Sequence, residues 1–236
     1  MKILAVDTTA SAASVAVMSD GKVLGASFTN TGLTHSQTLM PMVENTLKGA
    51  NTGLEDIDLF AVNNGPGSFT GVRIGVAAVK GMAHPKEKKC IEISTLESLA
   101  YNLIDSDCVA VCAMDARCNQ VYAALFRCEN GIVTRLCEDK ALLISELEND
   151  ITGKDLPVIF VGDGAMLCYE YYKEKLPCRI AGENNRYQNA KSVALCAYLK
   201  NDGAYISAQT LMPSYLRLPQ AQRELKKKLE DKEKSK

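Results

Sequence analysis

The chain has 236 residues, 47% of them apolar, and a formal net charge of −1. That length holds one large domain or two small ones around a proper core. The near-zero charge excludes a protein that grips RNA or DNA by its own field, so a nucleic-acid role would pass through a partner. The opening MKILAVDTTA has one lysine and a short apolar run broken by Asp7, too short for a signal-peptide core and readable as a buried strand over 3–6. No membrane segment follows, and the expectation is a cytoplasmic protein. Strands are predicted at 14–18 and 22–28, joined at Asp20-Gly21, a strong hairpin signal. A helix then starts at Thr34, with Gln37 completing a capping box, and carries Leu39, Met42, Val43 and Leu47 on one face. Pro41 removes one backbone donor inside it. A strand at 59–62 leads into a helix over 70–83, closed by Pro85 and a lysine-rich loop. A short strand at 91–93 and a helix at 96–103 complete the first half.

The order then repeats. A strand at 108–114 ends at Asp115, as 3–6 ends at Asp7. The strand 121–127 turns at Asn130-Gly131, and 158–161 leads into Gly162-Asp163-Gly164, as 59–62 leads into Gly65-Pro66-Gly67. This is a duplication at a spacing of about 100 residues. Two like halves of mixed sheet with flanking helices make an α/β architecture with a cleft between lobes, where ligands tend to sit. The expected division is a first lobe over 1–105, a second over 106–218 and a charged helix or tail over 219–236, where acids interleave the lysines.

The motifs are sparse in catalytic groups. NNGPGSFTGVRIG, from Asn63 to Gly75, looks like a phosphate loop, and Ser68 is a helix N-cap there. The Walker spacing fails because Gly71 stands where its lysine belongs, and the dinucleotide spacing fails because three residues separate Gly67 from Gly71. Spacing alone favours a strand-to-helix turn. Gly71, Gly75 and Ala78 share one helical face, with Ala77 and Gly81 beside it. Each interior glycine weakens a helix by ~1 kcal/mol against alanine, so something must come close to that face, either within the chain or from a partner. Asp7, Thr8 and Thr9 form a turn of the kind that binds phosphate or Mg²⁺, a weak signal because turn capping explains it equally well. His35 has no partner for a metal site or a nucleophile–base pair and reads as helix surface. The nine cysteines include no C-x-x-C pair and read as free thiols.

Taken together, ILAVDTTASAASVAV, THSQTLMPMVENTL, NNGPGSFTGVRIGVAAVKGMA, ISTLESLA, MDARCNQVYAALF, VGDGA and PSYLR resemble the TsaB family, also called YeaZ, across residues 1–218. The resemblance implies an ASKHA (actin-like) fold of two lobes. It implies a non-catalytic subunit that pairs with TsaD, the enzyme that moves a threonylcarbamoyl group onto N6 of the adenosine beside the tRNA anticodon. A small ATPase, TsaE, joins the complex, tRNA is met only through it, and a self-dimer through the same surface is plausible. TsaD carries His-x-x-x-His, whereas the matching segment here, STLESLA, puts Thr95 and Leu99 at those positions, so no metal site and no transferase activity are expected of this chain alone; no cofactor is required of it, and binding of ATP or ADP is left to the complex. The implied interface uses Leu39, Val43 and Leu47 of the first helix and Gly71, Ile74, Gly75 and Ala78 of the second. The rival readings are an ATP-using kinase with Asp7, Thr8 and Thr9 as its phosphate loop, a peptidase, and a module that binds ATP or ADP without turnover.

Overall fold

The computed structural model describes residues 1–200 and 203–217, so the predicted charged segment 219–236 lies outside the described residues. The first half runs β1 (Lys2–Asp7), β2 (Ala13–Ser19), β3 (Lys22–Thr29), α1 (His35–Gly49), β4 (Leu59–Gly65), α2 (Phe69–Ala83), β5 (Lys89–Ser94) and α3 (Thr95–Ala100). The second runs β6 (Cys108–Asp115), β7 (Gln120–Glu129), β8 (Ile132–Arg135), β9 (Lys140–Leu143), α4 (Glu148–Ile151), β10 (Val158–Val161), α5 (Ala165–Tyr172), β11 (Cys178–Ile180), α6 (Glu183–Arg186), α7 (Ala190–Leu199) and β12 (Ile206–Ser207). Both expected hairpins form. Asp20 and Gly21 take φ of 49° and 81°, and Asn130 and Gly131 take 53° and 73°. Two left-handed residues in a row match the twist of the flanking strands, and Asp-Gly and Asn-Gly tolerate that conformation.

One sheet has the order β12-β5-β4-β1-β2-β3 and the other β11-β10-β6-β7-β8, with β9 also paired to β7. In each, an antiparallel three-strand meander is followed by two parallel strands on the other side of its first member. The two orders match strand for strand apart from β9 and β12, which is the duplication anticipated from the sequence.

Alternation decides which face each residue serves. Leu4, Val6, Val15, Val17, Phe60 and Val62 point to one side of the first sheet and bury against α1 and α2. Their neighbours Ile3, Ala5, Ala16, Met18, Leu59 and Ala61 point to the other and bury against α7. The second sheet does the same, with Ala110, Cys112, Ala124 and Phe126 under α3, and Val109, Val111, Ala123 and Leu125 under the segment 144–151 and α5. The lobes therefore exchange helices. α3, from the first half, packs Leu96, Leu99 and Ala100 on the second sheet. α7, from the second half, packs Val193, Ala194 and Ala197 on the first, and β12 extends that sheet beside β5. A cut at 105/106 falls between α3 and β6, and it leaves both α7 and β12 on the far side from the sheet they join.

Two local expectations change. Thr34 precedes α1, but its side chain makes no cap bond; its carbonyl accepts from the Gln37 and Thr38 amides instead. The predicted helix over 96–103 is α-helical over Thr95–Ala100 and tightens into a 3₁₀ turn over Tyr101–Leu103. No helix among the described residues is long and apolar enough to cross a membrane.

Candidate functional site: the interlobe cleft and the helix beside it

β1, β4, β6 and β10 are central in their sheets, and the turns after them face one another across a cleft of about 480 Å³. Thr9, Ser68 and Phe69 line it from the first lobe, and Asp115, Arg117 and Asp163 from the second. The segment 212–217 crosses its rim and contributes Tyr215 and Arg217.

Asp7 ends β1 and is fully buried. Its carboxylate accepts from the Thr9 amide and hydroxyl, both at 2.8 Å, and from Asn63 Nδ2. Burial raises its pKa, and the Thr9 and Asn63 bonds oppose that rise. Asn63 also donates to Ser98 Oγ at 2.8 Å, which ties β4 to α3. Thr8 Oγ1 donates to the Gly71 carbonyl at 2.7 Å. Thr8 and Thr9 are buried too, and both hydroxyls are committed inside the chain. The three residues cap a turn and dock a helix, and of them Thr9 lines the cleft. The matching turn of the second lobe, Arg117, Cys118 and Asn119, has φ of 66°, 54° and 57°, and Asp115 braces it by accepting from the Arg117 amide at 2.7 Å.

Asp163 lies at the cleft floor. Its pKa is pushed up to about 6, first by burial and then by the charges of Asp115 and Asp7, while the Gln188 amide, donating at 2.7 Å, pulls the other way. Sequence reasoning did not single out Asp163 or Gln188 as site residues, because nothing in VGDGA marks its carboxyl as buried. His35 is half-buried rather than a surface residue, with Nε2 2.7 Å from the Ala10 carbonyl. That pairing puts the proton on Nε2 and leaves the buried Nδ1 without a partner.

The glycine loop answers to the same turn. Ser68 caps α2 by accepting from the Gly71 amide at 3.3 Å. A methyl at Gly71 would collide with the Thr8 carbonyl, and one at Gly75 would sit 2.5 Å from Thr8 Oγ1. Gly71 and Gly75 therefore face inward, which corrects their assignment to a partner surface. Leu39 and Val43 are corrected as well: they are 1% and 3% exposed and pack in the sheet core. Leu47, Ile74 and Ala78 are half-buried at the margin of that core. The outward side of α2 is instead Arg73, Ala77 and Gly81, with Ala78 at its edge, and α1 presents Met40 and Glu44. Among the described residues nothing lies within 4 Å of where a Gly81 side chain would begin.

Thr95 and Leu99, which the resemblance sets against the transferase histidines, are both buried, with Leu99 among the apolar residues of the second-lobe core. Those side chains do not fit a metal. Among the described residues no group of three or more His, Cys, Asp or Glu side chains is placed to hold one.

Comparison with known proteins agrees with this architecture. The family model described as "TsaD: tRNA N6-adenosine threonylcarbamoyltransferase" matches residues 29–225. The tRNA threonylcarbamoyladenosine biosynthesis protein TsaB of Bacillus subtilis is 30% identical over 94% of this chain and 96% of its own. That of Escherichia coli is 42% identical over 56% of this chain and 58% of its own. The solved structure of YeaZ from Pseudomonas aeruginosa is similar with a TM-score of 0.79 at 25% identity, covering 91% of this chain and 99% of that one. With two actin-like lobes of matching strand order, and with likeness to the Bacillus subtilis and Pseudomonas aeruginosa proteins over more than nine-tenths of its length, the chain is an ASKHA-fold protein that belongs to the TsaB (YeaZ) family of tRNA threonylcarbamoyladenosine biosynthesis proteins.

Proposed function

We propose that this chain is a non-catalytic subunit that pairs with a TsaD-like transferase through the outward faces of α1 and α2. The observation that carries the reading is the open strip of Ala77 and Gly81 on α2, with the half-buried Ala78 at its edge. Gly71 and Gly75 are accounted for by Thr8, but Gly81 weakens the helix by ~1 kcal/mol with nothing among the described residues packed on it. Small residues on an exposed helix let a second helix come close. Met40, 49% exposed, and the half-buried Ile74 add apolar surface alongside.

In this reading the chemistry belongs to the partner. Leu99 fills core where a ligand would stand, and the polar atoms of Asp7, Thr8 and Thr9 are spent within the lobe. The chain needs no cofactor of its own, and any ATP or ADP is held by the complex. A TsaE-like ATPase joins the pair, tRNA is contacted through the assembly, and the work is done in the cytoplasm. In isolation the same strip supports a self-dimer, since a two-fold contact uses one patch twice.

Size-exclusion chromatography with light scattering, on this chain mixed with the TsaD-like protein of the same organism, tests the pairing. The wild type should elute as a heterodimer. Ala77→Arg, at an exposed helical site, should fold normally and lose it. A wild type that ignores its partner would sink the reading and make ATP turnover the next assay.

A further inference from the structure

Residues 212–217 touch both lobes and the helix of the proposed interface. On the first lobe the Ser214 amide donates to the Asn64 carbonyl at 2.7 Å, Asn64 Nδ2 donates back to the Met212 carbonyl at 3.2 Å, and the Met212 amide donates to Glu92 Oε1 at 2.7 Å. Next along the strap, Tyr215 stacks on Phe69, ring centroids 4.7 Å apart, and accepts from Arg73 Nε at 2.8 Å. Arg73 itself lies 3.9 Å above the Phe69 ring. At the far end Arg217 donates to the Ala116 carbonyl at 3.3 Å and to Gln120 Oε1, both in the second lobe. Gly65 allows the strap to lie this close: with φ of 129°, it has no side chain to collide with the Ser214 carbonyl.

We propose that this strap is a latch that couples the outward face of α2 to the width of the interlobe cleft. Arg73 is on the exposed side of α2, one helical turn before Ala77, so a helix docked on that side meets Arg73 and, through it, Tyr215. Tyr215 fixes the path of the strap, and two residues on Arg217 holds the turn between β6 and β7. A partner that shifts Arg73 moves the only segment that lines the cleft from its rim and bonds to both walls among the described residues. A planar guanidinium with paired donors suits the second-lobe end, because it meets a carbonyl and an amide oxygen at once. The inference rests on the α2 pairing reading for the identity of the partner, but the latch itself is a property of the single chain.

Hydrogen exchange read by mass spectrometry tests both parts. In the chain alone, Arg217→Ala should speed exchange of the amides over 114–121 by about tenfold, the loss of one charge-assisted anchor, with Arg217→Lys intermediate and the melting midpoint unchanged. Equal exchange in wild type and Arg217→Ala overturns the latch. Adding saturating TsaD-like protein to the wild type should change protection over 114–121 severalfold, and Arg217→Ala should lose that response. A response that survives Arg217→Ala overturns the coupling. If light scattering finds no complex with the wild type, the pairing reading fails and so does the coupling, while the exchange of the chain alone still decides the latch.

Discussion

At Gly75 a methyl group would land 2.5 Å from the Thr8 hydroxyl, which is already held by the Gly71 carbonyl. Gly75→Ala should therefore destabilise the fold by about 1–3 kcal/mol, the range for overpacking a tight site, although alanine is the better helix former. Gly81→Ala, on the open side of the same helix, should stabilise by about 0.5–1 kcal/mol. Urea titration of the two variants reads both signs. Asp163 gives a pH signature. Its carboxyl titrates near 3.8 when unfolded and is pushed up to about 6 in the fold. Between those values the native chain holds a proton that the unfolded chain has released. The stabilisation from Asp163 is complete below pH 3.8 and is lost as the pH rises through about 6. Asp163→Asn keeps an acceptor for Gln188, so it should flatten this slope and raise stability at neutral pH by on the order of 1–3 kcal/mol. Unfolding curves at pH 4, 6 and 7.5 check it. Were the slope identical in the variant, the proton would not be on Asp163.

Among the elements, the two helix starts of the first lobe separate what a sequence can say from what it cannot. Thr34-x-x-Gln37 and the Ser68 turn both looked like caps, but only Ser68 serves as one, at 3.3 Å from the Gly71 amide. Ser68→Ala should cost about 1 kcal/mol and Thr34→Ala less than about 0.5, both from thermal melts. The core strands, both hairpins and the repeated succession of elements were legible because short apolar runs and Asp-Gly or Asn-Gly turns are local signals, whereas β9, β11 and β12 were not. The facing of α1 and α2 was not. Leu39 and Val43 form an apolar stripe, and a stripe has the same spacing whether it meets a sheet or a partner. Gly71 and Gly75 differ from Gly81 only in that Thr8 lies opposite the first two, and Thr8 is more than sixty positions away in the chain. The strap escaped for a related reason. PSYLR has no periodicity, and its contacts, Tyr215 to Arg73 and Arg217 to Gln120, are all long-range.

The molecule as a whole is a duplicated sheet whose halves are not self-sufficient. One face of the first sheet, with Ile3, Ala5, Ala16, Met18 and Ile93, is covered only when α7 arrives. During synthesis those strands emerge first, and their cover follows roughly 100 residues later, a wait of about 5–20 s at ordinary elongation rates. For that interval the nascent lobe carries a bare apolar face, the kind of surface that chaperones bind. Force-sensing arrest peptides placed along the chain should register little folding force after β5 and a single late event once Ala190–Leu199 clears the ribosome. An early force peak near residue 105 would mean that the first lobe closes without its cover. The order in which this chain is made is the reverse of the order in which its first lobe can be finished.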